Sequence, residues 1–119
     1  MIDENKNLTC REEKSTVRSL VSVCISVYNG EDHLRKCLDS VLSQDISSME
    51  IVLVNDGSTD GTSEIMHEYQ NRFPEIRIIE QENRGLAQGR WTGVKNSSGS
   101  YITFLDADDY LLEGAYKTI

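Results

Sequence analysis

From Val21 onward the chain switches between two hydrophobic patterns. Val21-Ser-Val-Cys-Ile-Ser-Val27 is β-branched and mostly apolar, as expected of a strand buried in a parallel sheet. Tyr28-Asn29-Gly30 closes it with a turn signal. Leu34, Cys37, Leu38, Val41 and Leu42 then recur with the spacing of one face of an amphipathic helix. Ile51 to Val54 predicts a second strand, ended by Asn55-Asp56-Gly57-Ser58. Ile65, Met66, Tyr69 and Phe73 predict a second helix, stopped by Pro74. Ile76 to Ile79 predicts a third strand. A glycine-punctuated helix follows, from about Gly85 to Ser97, with Gly99 in its C-terminal cap region. Tyr101 to Leu105 predicts a fourth strand, and Leu111 onward the start of another helix.

Strands beginning near 21, 51, 76 and 101 with a helix in each gap match successive βαβ crossovers, which require a parallel sheet. The expected fold is an open, doubly wound, mainly parallel α/β sheet with right-handed connections. Residues 1–19 carry no sustained periodicity and predict a mobile polar tail, leaving 20–119 as one folded unit. Because the chain stops just as a helix begins, a truncated domain is expected.

Charge narrows the partners. The chain has 12 basic and 20 acidic residues, a net charge of −8. Lys6, Arg11, Lys14 and Arg18 balance Asp3, Glu4, Glu12 and Glu13, so the whole excess belongs to the folded part. That disfavours broad nucleic-acid binding, which needs a basic surface. The longest nearly apolar run, Leu20 to Tyr28, is about half a membrane span, and no apolar signal core follows Met1. A cytoplasmic chain without a membrane span is expected. Cys10, Cys24 and Cys37 lack metal-ligand spacing. Cys24 and Cys37 sit at apolar positions and are expected as buried free thiols, which fits a reducing compartment.

Ligands of open parallel sheets bind beyond the carboxyl ends of the strands. There the sequence places Tyr28-Asn29-Gly30, Asn55 to Gly61, Asn83-Arg84-Gly85 and Asp106-Ala107-Asp108-Asp109. Three carboxylates in four residues repel one another unless a cation offsets them. Mg2+ or Mn2+ suits all-oxygen ligands and could bridge to a diphosphate, which is how an acidic domain can hold an anion. The bland alternative is a solvated acidic turn in which Asp108 or Asp109 caps the next helix. EF-hand spacing fails from both Asp56 and Asp106: the last ligand position holds His67 or Lys117. Gly85, Gly89 and Gly93 recur every four residues on one helix face, as close approach to the sheet or to a ligand would require.

Four segments together, Val21 to Asn29, Val52 to Thr62, Asn83-Arg-Gly-Leu-Ala and Tyr101 to Asp109, look like glycosyltransferase family 2. They resemble the nucleotide-sugar-binding half of its GT-A fold, over residues 20–115. The resemblance implies transfer of a sugar from a nucleoside diphosphate sugar, UDP-sugar favoured, to the hydroxyl of a saccharide or lipid-linked acceptor. It assigns Asp108 as metal ligand and Asp106 to the ribose or the same metal. Asp56 would accept the imide of a uracil-like base, with an Asx-turn role as the alternative. Tyr28 would stack on the base, or else pack between strand and helix. Ser26, where relatives often have Pro or Thr, joins the nucleotide-sugar set, and so does Arg90. Trp91 stands where relatives often have Asn. Arg84 is expected in a surface ion pair, Asp60 as the cap of the second helix, and His33 and His67 on helix surfaces. The general base is expected beyond Ile119, so the 119-residue chain should bind nucleotide weakly, transfer no sugar and self-associate through uncovered apolar surface. For the full-length protein, the inner face of the membrane is a further candidate location. Two rivals remain. A receiver-like signalling module would want its acidic pair after strand one, and a nucleotidyltransferase a glycine-rich basic loop there.

Overall fold

The alternation of side chains along β1, Val21–Val27, organises everything around it. In the computed structural model, which describes residues 21–44 and 48–115, Val21, Val23, Ile25 and Val27 face one way. They form the core with Leu34, Cys37, Leu38 and Val41 of α1, Leu34–Leu42, and Ile65, Met66 and Tyr69 of α2, Thr62–Arg72. Ser22, Cys24 and Ser26 face the other way, towards the segment that begins with α3, Leu86–Lys95. β2, Met49–Asp56, is buried along nearly its whole length, as a central strand must be. With β3, Ile76–Gln81, and β4, Tyr101–Phe104, the strands form one sheet of order β3-β2-β1-β4, all pairs parallel. Helices cover both faces, so the doubly wound parallel α/β fold expected from the periodicity is the one observed.

Small residues set the distance between α3 and the sheet. A Cβ built on Gly89 would lie 2.0 Å from Ser26 Oγ, and one on Gly93 3.1 Å from Cys24 Cβ. Gly85 has open space around it, and its backbone φ of 93° is the reason for glycine there. The shared face therefore reflects two causes: contact with β1 for Gly89 and Gly93, and a left-handed turn for Gly85.

At the amino end of the sheet, Glu50 is buried at 6% exposure and gathers three donors. Ser22 Oγ donates at 2.6 Å, Ser98 N–H at 2.6 Å and Ser98 Oγ at 3.0 Å, while Gly99 N–H donates to Ser22 Oγ at 2.8 Å. This knot ties the α3–β4 connection to β1 and β2. Burial pushes the Glu50 carboxyl up, but these hydrogen bonds and the nearby Arg77 outweigh it and hold it below the usual range.

The described residues differ from expectation in one element. Leu111 and Leu112 are in no regular structure and Glu113 to Ala115 form a turn, so no helix begins at Leu111. Instead Leu111 N–H donates to Ser40 Oγ and Gln44 Nε2 to the Leu112 carbonyl. These bonds dock the segment on α1, an arrangement that compositional periodicity does not encode. Cys24 and Cys37 are free and buried. Residues 1–19, including Cys10, lie outside the described residues. No helix among the described residues is long and apolar enough to cross a membrane.

Candidate functional site

The carboxyl edge of the sheet is built from three loops tied to one another and one open segment after β4. Between β1 and α1, Asn29 adopts a left-handed φ of 51°, which Asn tolerates better than most residues. Its N–H donates to Ser58 Oγ at 2.9 Å and its Oδ1 accepts from Thr59 N–H at 2.7 Å. Gly30 N–H donates to Thr62 Oγ1 at 2.9 Å, Glu31 N–H to Asp60 Oδ2 at 3.3 Å, and Gly61 N–H to Glu31 Oε1 at 2.7 Å. The loops after β1 and β2 thus hold each other. Asp60 Oδ1 also accepts from the N–H of Thr62, the first residue of α2, at 3.0 Å.

Asp56 closes the second half of this frame. It is 3% exposed. Its Oδ1 accepts from Gln81 Nε2 at 2.9 Å and Arg84 N–H at 2.8 Å, and its Oδ2 from Gly85 N–H at 2.9 Å. Asn83 Nδ2 donates to the Asp56 carbonyl at 3.0 Å. Burial works to raise the Asp56 carboxyl, but these donors and the charge of Arg84 prevail and lower it. The local side-chain-to-backbone bond of this turn falls to its neighbour: Asn55 Oδ1 accepts from Ser58 N–H, three residues on, at 3.1 Å. Asp56 instead anchors the loop between β3 and α3.

A cavity of about 360 Å³ opens where β1 and β4 end. Ser26, Tyr28 and Asn29 line one side, Asp106 and Asp108 the other. Tyr28 is 55% exposed, so its ring is not packed between strand and helix. Arg90 adjoins through an ion pair, Nη2 to Asp106 Oδ1 at 3.2 Å, with its guanidinium 5.5 Å from the Phe104 ring. Of the residues nominated from sequence, Ser26, Tyr28, Asp106 and Asp108 therefore meet at one cavity and Arg90 stands beside it. Asp56 is not among the lining residues. Gly30, His33, Leu86 and Ala107 complete the lining, and of these His33 and Leu86 bring side chains that sequence reasoning missed. Neither was nominated, because an apolar-face pattern carries no sign of what the start of a helix faces. The one available signal was that His33 follows the strand-one turn by three residues.

Asp106, Asp108 and Asp109 are all exposed, and each offers a carboxylate oxygen within 4.8 Å of the others. Asp109 N–H donates to the Asp106 carbonyl at 2.9 Å, folding the segment into a tight turn. No helix follows among the described residues for Asp108 or Asp109 to cap. Three hard oxygen donors brought together in water, with only Asp106 ion-paired among the described residues, fit a divalent cation such as Mg2+ or Mn2+. Below them Cys37 Sγ donates to the Asp106 carbonyl at 3.7 Å. Burial, then the charges of Asp109, Asp108 and Asp106, push its thiol up to about 12, so it stays protonated and serves as neither nucleophile nor thiolate ligand.

A parallel sheet with its polar groups gathered at the carboxyl edge is the architecture of nucleotide-binding α/β enzymes. The family model of glycosyl transferase family 2 matches residues 22–119, and the chain belongs to that family. Glycosyltransferase GlyA of Streptococcus pneumoniae is 48% identical over 99 residues, which is 83% of this chain and 14% of GlyA. S. aureus TarS 1-349, solved in complex with UDP-GlcNAc, superposes with a TM-score of 0.75 at 29% identity, covering 83% of this chain and 29% of that one. The mannosyltransferase PcManGT of Pyrobaculum calidifontis, in complex with GDP-Man and Mn2+, gives a TM-score of 0.75 at 28% identity, with 83% and 30% covered. The chain thus spans less than a third of each of these proteins.

Proposed function

We propose that this chain is the donor-binding part of an enzyme that moves a sugar from a nucleoside diphosphate sugar to an acceptor hydroxyl. The observation that carries this reading is the meeting of Ser26, Tyr28, Asp106 and Asp108 around one cavity at the carboxyl edge of a family 2 chain. Tyr28 presents an exposed ring on which a base can stack. Asp56 uses three of the roughly four acceptor positions of a carboxylate on Gln81, Arg84 and Gly85, and the remaining one would take a base imide. Asp108 and Asp106 would hold Mn2+ or Mg2+. When bound, the ion supplies positive charge at the leaving diphosphate. Arg90, beside Asp106, adds a second cationic group on the same side. A UDP-sugar is the favoured donor. The UDP-GlcNAc complex of TarS supports this, and the GDP-Man complex of PcManGT makes GDP the necessary control. The acceptor, a saccharide or lipid-linked hydroxyl, is an expectation of the family resemblance alone.

The test is calorimetric titration of UDP and GDP into the chain, with and without Mn2+, beside Asp108→Ala. Metal-dependent binding of one nucleotide that disappears in the variant is expected. Binding indifferent to both the metal and Asp108 would overturn the reading. Exposed Tyr101, Ile102 and Phe104 lie on β4, which pairs only with β1 among the described strands. They support self-association of the 119-residue chain, to be read as a rise of mass with concentration in light scattering.

A further inference from the structure

We propose that His33 is a further donor-binding residue, one that contacts the diphosphate rather than the nucleoside. This rests on the nucleotide-sugar reading of the same cavity. His33 is exposed, lines the cavity and occupies the N-cap position of α1, yet its side chain makes no capping hydrogen bond. Among the described residues its ring has no hydrogen-bond or ion-pair partner. An imidazole placed there is not holding the helix, so its N–H remains available to the cavity.

The charges around it say what it would meet. The other ionisable side chains on the cavity wall are Tyr28, Asp106 and Asp108, so His33 is the only wall residue able to carry positive charge. Arg90, a permanent cation beside the cavity, is already engaged by Asp106. A diphosphate brings negative charge into a space whose fixed charges are carboxylates, and it needs donors besides those of a cation at Asp108. The ring of His33 supplies one in either protonation state, and the start of α1 adds partial positive charge on the same side. The nucleoside is assigned other partners: its base goes to Tyr28, on the same wall, and to Asp56, and neither assignment uses the His33 ring.

The prediction is a split between ligands that share a base and differ in phosphate. UDP and uridine are titrated at saturating Mg2+ and one fixed pH into the chain, His33→Ala and His33→Asn, and followed by chemical shifts. His33→Ala is expected to weaken UDP about tenfold and uridine less than about twofold. His33→Asn, which keeps an N–H donor, should recover part of the loss. Thermal unfolding of both variants should match the parent chain, since the side chain caps nothing. Unchanged UDP affinity in His33→Ala, or equal weakening of UDP and uridine, overturns the role of His33 while leaving the nucleotide site standing. A parent chain that binds neither UDP nor uridine, nor GDP and guanosine in a parallel series, overturns the donor-site reading and this proposal together.

Discussion

Asp56 and Asp108 both follow a strand at the carboxyl edge of one sheet, and the fold treats them in opposite ways. Asp56 is nearly fully buried and accepts three hydrogen bonds, one from Gln81 at the end of β3 and two from the loop between β3 and α3. Asp108 is exposed, lies beside two further carboxylates and has no partner among the described residues. The first carboxylate is part of the frame. The second is left available for something from outside. The contrast separates two functions that an acidic residue at a strand end can have: it can preorganise a site, or it can be the site's reactive surface.

The largest effect that would sharpen this contrast is on stability. Asp56→Ala removes the acceptor of Gln81 and of two backbone N–H groups, and should destabilise the chain by about 3 kcal/mol in urea unfolding. Asp108→Ala should fall within about 0.5 kcal/mol of the parent chain and lose only metal-dependent nucleotide binding. Equal losses of stability in the two variants would break the comparison.

A smaller effect separates the two glycines that seat α3. In Gly89→Ala the new methyl meets Ser26 at 2.0 Å, inside the cavity wall, and overpacking should cost about 1–3 kcal/mol. In Gly93→Ala the nearest atom is 3.1 Å away, and a helix-propensity gain of about 1 kcal/mol offsets the crowding. Gly93→Ala should therefore unfold close to the parent midpoint. A lower midpoint for Gly93→Ala than for Gly89→Ala would contradict the seating of α3 against Ser26.

The smallest effect appears on acidification. Asp56 and Glu50 are both held below the usual carboxylate range in the folded chain. The folded state thus binds their protons more weakly than the unfolded state, and stability rises with pH in that window. Their contribution is fully present above the unfolded carboxylate range and is lost as pH falls through the lowered folded values. Glu50→Gln should flatten part of the acid slope measured by chemical denaturation. An unaltered slope in Glu50→Gln would mean that Ser22, Ser98 and Arg77 do not hold that carboxylate below the usual range.

Much of the fold behind this contrast was legible in the sequence. Period-two and period-3.6 patterns placed four strands and three helices close to where they lie, because burial on one face or both repeats with the backbone geometry. The helix expected at Leu111 did not form within the described residues: there Leu111 and Leu112 hydrogen-bond to α1, a long-range contact that no local pattern announces. Tyr28, Asp106 and Asp108 could be placed on the binding edge because strand ends of parallel sheets converge there, and the family resemblance gave them their roles and added Ser26. His33 could not, since its nearness to Asp106 and Asp108 arises only when α1 packs beside β1.

The sequence by itself determined the alternation of strands and helices, and with it the parallel sheet and the edge on which polar residues gather. These follow from local periodicity and from the reach of a crossover connection. The tertiary structure alone decided what each polar residue does on that edge. Whether a carboxylate faces its own backbone or the solvent depends on which loop folds over it. For Asp56 that loop comes from residues 83–85, far along the chain. For Asp108 no described segment covers it.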